Sequence, residues 1–226
     1  MRLCKELKFI VNFLPIGKAA KMHKFSRGEP PVDIAKTKAD YHNKWDNIFL
    51  ASAEHQAIGD CLYERQSHYC AYCDTRITSK ENGFIEHLER RSDNPQRTFD
   101  WKNMFFSCKH PESCGYFKDG ANTKQCFNPA DIVDPSTEEP ADFFAYGMNG
   151  KISARNKASA HRAEETIRVF NLNNARLIGI RSGVARSVAF FLEHNPSDEQ
   201  IDEFLHDMVE KDCPSVCCDF LRRKMA

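Results

Sequence analysis

Two cysteine pairs constrain this chain more than any other feature: Cys70-Ala71-Tyr72-Cys73, and Cys108 with Cys114. A Cys-x-x-Cys turn presents two sulfurs to one metal ion, and a second pair across a hairpin completes the tetrahedron that zinc prefers. Five residues separate Cys108 from Cys114, wider than the roughly two to four usual in such sites. Between the pairs lie two short apolar runs, Phe84-Ile85 and Met104-Phe105-Phe106, joined by a polar loop through Asp93-Asn94-Pro95. That pattern predicts two strands with a long connection. A structural zinc ion at Cys70, Cys73, Cys108 and Cys114 is therefore expected to clamp a hairpin.

A disulfide framework is the competing use of cysteine, and the chain has ten. Its N-terminus does not read as a secretion signal, because Lys5, Glu6 and Lys8 interrupt the apolar residues and no small-residue cleavage site follows. In a reducing compartment clustered cysteines are more often metal sites. Cys4, Cys61, Cys126, Cys213, Cys217 and Cys218 form no second four-ligand pattern and read as small apolar residues. No segment approaches the ~20 apolar residues of a spanning helix, so the expectation is a cytoplasmic protein with no membrane partner. With 41% hydrophobic and 28% charged residues the chain is globular rather than disordered.

The formal net charge is +0, which excludes a global field that attracts polyanions. Local surfaces remain: Lys5, Lys8, Lys18, Lys21, Lys24 and Arg27 make the start basic, Arg90, Arg91 and Arg97 surround the position of His87, and acids dominate from Glu193 to Asp212. The N-terminal lysines fit a solvated surface equally well.

The fold class expected is α+β, a zinc-stapled core embedded in a mainly helical body. Residues 1–38 read as an irregular basic arm, broken by Pro15, Gly17, Gly28, Pro30 and Pro31. Residues 39–69 read as a helical lead-in, with Tyr41, Trp45, Ile48 and Phe49 at helical spacing and Ile58, Leu62 and Tyr63 after a break near Gly59. The core spans 70–125, and 126–226 form an extended cover followed by helices. Strand-like Phe143 to Tyr146 with a turn at Gly147 to Gly150 precedes helices over Ser159 to Phe170, Asn173 to Leu192 and Ser197 to Asp212. The last carries a capping box, Ser197 with Gln200, and one apolar face of Ile201, Phe204, Leu205, Met208 and Val209.

Glu86-His87 falls at the end of the first strand and Asn103 at the start of the second. A neutral imidazole accepts a proton from water near pH 7, and an adjacent carboxylate can hold a divalent cation on a phosphate. The series Cys70-Ala71-Tyr72-Cys73, Ile85-Glu86-His87, Asp100-Trp101-Lys102-Asn103, Cys108, Cys114 and Lys118 resembles the HNH nucleases of the ββα-metal fold. The resemblance implies His87 as general base, Glu86 as ligand of a catalytic divalent cation (Mg2+ or Mn2+), and Asn103 as the residue shaping the loop between the strands. Arg90, Arg91 and Lys118 would hold neighbouring phosphates. The family commonly places a further metal-binding His or Asn directly after the last cysteine, where this chain has Gly115; His110 and Asp119 are the candidate replacements.

A narrower similarity covers roughly residues 40 to 192. It rests on Gln66, Cys114-Gly115-Tyr116-Phe117-Lys118, Ile132-Val133-Asp134-Pro135, Gly150-Lys151-Ile152 and Asn171-Leu172-Asn173, and points to the PtuB nucleases of Septu and some retron anti-phage systems. It implies a bacterial cytoplasmic endonuclease acting on nucleic acid within a hetero-oligomer; DNA ranks ahead of RNA as the substrate, and the sequence does not decide between them. The implied partner is a PtuA-like ABC-type ATPase supplied in trans, consistent with the absence of a P-loop here. The competing expectation is a non-catalytic zinc-knuckle adaptor that binds nucleic acid or protein.

Overall fold

The computed structural model describes residues 24–42, 44–48, 52–208 and 211–225. At its centre β1 (Gly83–His87) and β2 (Met104–Cys108) pair antiparallel, with Glu86 opposite Phe105 and His87 opposite Met104. All five residues of β2 are buried, so it reads in sequence as an apolar run rather than an alternation. Two helices sandwich this hairpin. On the face of Ile85 lies α2 (Ala53–Arg65), capped by Ser52, with Gly59 in contact with Ile85 and Phe106. On the face of Phe84 and Glu86 lies α3 (Cys114–Asp119), where Gly115 makes the closest approach.

Gln66, directly after α2, sets the edge of the hairpin. Its side-chain amide donates to the carbonyls of Tyr69 and Phe106 and accepts from the Phe106 N–H at 2.8 Å, taking the place of a neighbouring strand. The buried amide is thus fully satisfied, and the Cys70–Cys73 turn is held against β2.

A second hairpin, β3 (Phe144–Tyr146) with β4 (Ile152–Ala154), follows the short α4 (Pro140–Phe143). Its turn needs glycine at Gly150: φ is +79° and a Cβ there would collide with the backbone of Ile178 and Ser182. It packs with α5 (Ala160–Val169) into the main core, which runs from Ile58 and Phe106 through Phe144 and Ile152 to Phe170 and Leu177. Beyond it α6 (Ala175–Glu193), α7 (Asp198–Met208) and α8 (Pro214–Met225) enclose a satellite cluster of Val188, Ile201, Met208, Cys217 and Leu221. The arrangement is α+β, as expected, and the Ser197–Gln200 capping box is present.

Three expectations are corrected. The lead-in does not continue as a helix through Trp45: α1 (Ile34–Asp40) starts at the Asp33 cap and ends before it, and Trp45–Asn47 forms a single 3-10 turn. The Trp45 ring packs on His55, His87 and Phe99, so its apolar character serves the core rather than a helical stripe. The arm expected to be irregular through residue 38 is helical from Ile34, and its described start is a strap on the protein's own core. Phe25 N–H donates to Pro135 O, Trp101 Nε1 donates to Gly28 O, and the buried Arg27 guanidinium donates to Trp101 O and Met104 O while stacking on Phe105. Lys5, Lys8, Lys18 and Lys21 lie outside the described residues. Last, α8 was not expected, because its cap comes from a distant part of the chain: Asp74 Oδ2 accepts from Ser215 N–H at 2.8 Å, and Asp74 O accepts from Cys213 N–H. No helix among the described residues is long and apolar enough to cross a membrane.

Candidate metal centre and the histidine of the same hairpin

Cys70, Cys73, Cys108 and Cys114 come together as one buried cluster, their sulfurs all within 4.8 Å of one another. Tetrahedral thiolates at the usual zinc–sulfur bond length stand about 3.8 Å apart, and the Cys73 and Cys108 sulfurs are separated by 3.8 Å. The wide gap before Cys114 is closed by backbone: Cys114 adopts φ +59°, and its N–H donates to Phe170 O. Burial opposes ionisation of Cys70, yet thiol donors from Cys108, Cys114 and Cys73 outweigh it and draw Cys70 well below the ordinary thiol value. Burial, and then the neighbouring sulfurs, push Cys114 well above it. Four sulfurs held this way need a cation to ionise together, and the donor set and spacing fit zinc.

His87 is 5% exposed at the end of β1. Its Nε2 lies 2.9 Å from Thr98 O, and since a carbonyl only accepts, Nε2 carries the proton and Nδ1 is left unprotonated. Trp45 meets the ring edge-on at 4.7 Å. Burial, reinforced by the Arg91 charge, holds the imidazole neutral with its pKa pulled down to about 3.

Glu86 faces away from His87, as alternation along a strand requires. It is 1% exposed, 2.6 Å from the fully buried Lys118 Nζ, and hydrogen-bonded by the Tyr72 hydroxyl. Burial raises its carboxyl above the ordinary value against the pull of Lys118 and Tyr72. Lys118 also donates to the carbonyls of His87 (2.8 Å) and Leu88 (3.0 Å), tying α3 to the end of β1. The glycine after Cys114 now has a reason: any Cβ at Gly115 would overlap Glu86 Cγ and sit 2.9 Å from Phe84 Cζ.

Asn103 closes the loop between the strands. Its Oδ1 accepts from Glu89 N–H at 2.7 Å, and its Nδ2 donates to Glu89 O and Arg97 O. It therefore shapes the segment that carries Thr98.

Of the three side chains expected to hold phosphates, two are committed inside the protein. Arg90 is bound to Asp119 (2.6 Å), Asp93, and the carbonyls of Lys118 and Gln125, and Lys118 has no exposed surface. Arg91 lies at the surface, paired with Asp46 at 2.6 Å. Of the two expected replacements for a further metal ligand, His110 is engaged elsewhere, whereas Asp119 shares the Lys118 ammonium with Glu86, at 3.0 and 2.6 Å. His110 Nδ1 accepts from Glu112 N–H in the turn between the cysteines, and Asp119 is matched by Arg90 and Lys118. Among the described residues the four cysteines are the one group of three or more metal-ligating side chains that come together. Sequence reasoning missed Thr98, Tyr72 and Trp45, whose roles come from backbone position or long-range packing.

No family model matches the chain, and no curated protein shows significant similarity to it.

Proposed function

We propose that this chain is an HNH-type endonuclease hydrolysing nucleic-acid phosphodiester bonds, with His87 as the base that activates water. The observation that carries the reading is the geometry at His87: the ring sits at the end of β1, its tautomer set by Thr98 O so that Nδ1 accepts, on a hairpin whose other end is held by the four-cysteine clip. In the step itself Nδ1 takes a proton from water as the oxygen attacks phosphorus, and the leaving oxygen departs with a proton from solvent. Asn103 supports the loop that orients the ring, and Arg91 is the cation at hand for a flanking phosphate, which positions the strand without choosing its sequence. A zinc ion in the clip would hold the hairpin without entering the chemistry.

The resemblances implying a catalytic Mg2+ or Mn2+ and a bacterial cytoplasmic defence role with an ABC-type ATPase in trans rest on sequence alone. Two observations favour a second reading, a non-catalytic adaptor: Glu86 is neutralised by Lys118, and His87 is covered by Trp45 with its pKa held at about 3, which makes it a weak base. Incubation with single- and double-stranded DNA and RNA, in Mg2+, in Mn2+ and in EDTA, separates the two. Cleavage with either metal that EDTA abolishes supports the nuclease, whereas retention of substrate without cleavage in every condition supports the adaptor.

A further inference from the structure

Phe190, in the last turn of α6, is 66% exposed, more than any other large apolar side chain described. It borders a groove floored by Phe191 and Phe204, whose rings stack at 4.1 Å, and edged by His194 and Pro196. A single exposed aromatic is ordinary; its electrostatic setting is not. From Ser187 to Glu210 the chain contains seven carboxylates and no Lys or Arg. Glu193, Asp198, Glu199, Asp202, Glu203 and Asp207 are all exposed. On α7 the pairs Asp198/Asp202, Glu199/Glu203 and Glu203/Asp207 stand four residues apart, so like charges face one another and weaken the helix. Asp198 and Glu199 suit the N-terminal turn of α7, where backbone and Ser197 donors favour the Glu199 carboxylate; Asp202, Glu203 and Asp207 lie beyond that turn, and Ile201 and Met208 already bury the inner side of the helix.

We propose that the α6–α7 face docks a basic amphipathic helix of a partner protein. An apolar side chain of that helix would enter the groove beside Phe190 while its lysines and arginines meet the carboxylates of α7, the helix-in-groove mode with complementary charge. The same carboxylates repel nucleic acid and anionic membrane, which leaves a protein as the occupant. The inference rests on this face alone and stands whether or not His87 is catalytic.

The test is fluorescence anisotropy of the full chain with a labelled peptide of Leu and Lys, its leucines at i, i+3, i+4 and i+7, against a shuffled peptide of the same composition. The patterned peptide is expected to bind, and the shuffled one to bind more weakly by about tenfold or more. Phe190→Ser is expected to weaken the patterned peptide by about tenfold or more, and Glu203→Lys with Asp207→Lys to weaken it and flatten its salt dependence, with thermal melts not lowered because both side chains are exposed and lie beyond the first turn of α7. Failure of the patterned peptide to bind, equal binding of the two peptides, or indifference to Phe190→Ser would overturn the proposal. So would sedimentation showing that the chain self-associates through this face, since a second copy would then be the occupant.

Discussion

At His87 the environment sets both chemistry and stability. The imidazole is held neutral to about pH 3 in the folded chain, against an ordinary value of 6.5. The unfolded state thus binds the extra proton between those values, and the stability contribution of this group is complete above about pH 6.5 and is lost as pH falls toward 3, at up to ~1.4 kcal/mol per pH unit. Denaturant unfolding of wild type against His87→Gln is expected to show that slope only in wild type, and parallel curves would refute the buried neutral ring. Gly115 gives a second residue-scale test. Gly115→His places an imidazole directly after the last cysteine, yet it must displace Glu86 and Phe84, and is expected to cost about 1–3 kcal/mol in a thermal melt. Sequence adjacency made Glu86 and His87 look like one site; the alternation of β1 sends them to opposite faces, one to Lys118 and Tyr72, the other to Thr98 and Trp45.

At the scale of elements, what was legible was local. The cysteine spacing, the two apolar runs and the Ser197–Gln200 box each carry their signal within a few residues, and the clip, the β1–β2 hairpin and α7 follow from them. What was hidden depends on partners far along the chain: α8 is capped by Asp74, Arg27 is held by carbonyls of the hairpin connection, and Trp45 leaves a helical periodicity to cover His87. That cover is testable. Trp45→Ala is expected to admit water to the ring and move the His87 pKa up toward 6.5 in an NMR titration; an unchanged value would mean that Trp45 does not bury it.

For the whole molecule the clip and the C-terminal helices form one mechanical unit. The Cys70–Cys73 turn leads directly into Asp74, which caps α8, and Arg76 N–H is held by Asp212. One zinc ion per chain is expected by elemental analysis. Its removal with a chelator is expected to release hydrogen-exchange protection in α8 as well as in the knuckle, whereas protection lost from the knuckle alone would show that the two are independent. The central claim, that this unit presents His87 to a phosphodiester, is tested most directly by DNA cleavage with wild type and His87→Ala matched for zinc content and melting temperature. The account predicts a loss of about 10²-fold or more in the variant; a variant that cuts as fast as wild type would contradict it.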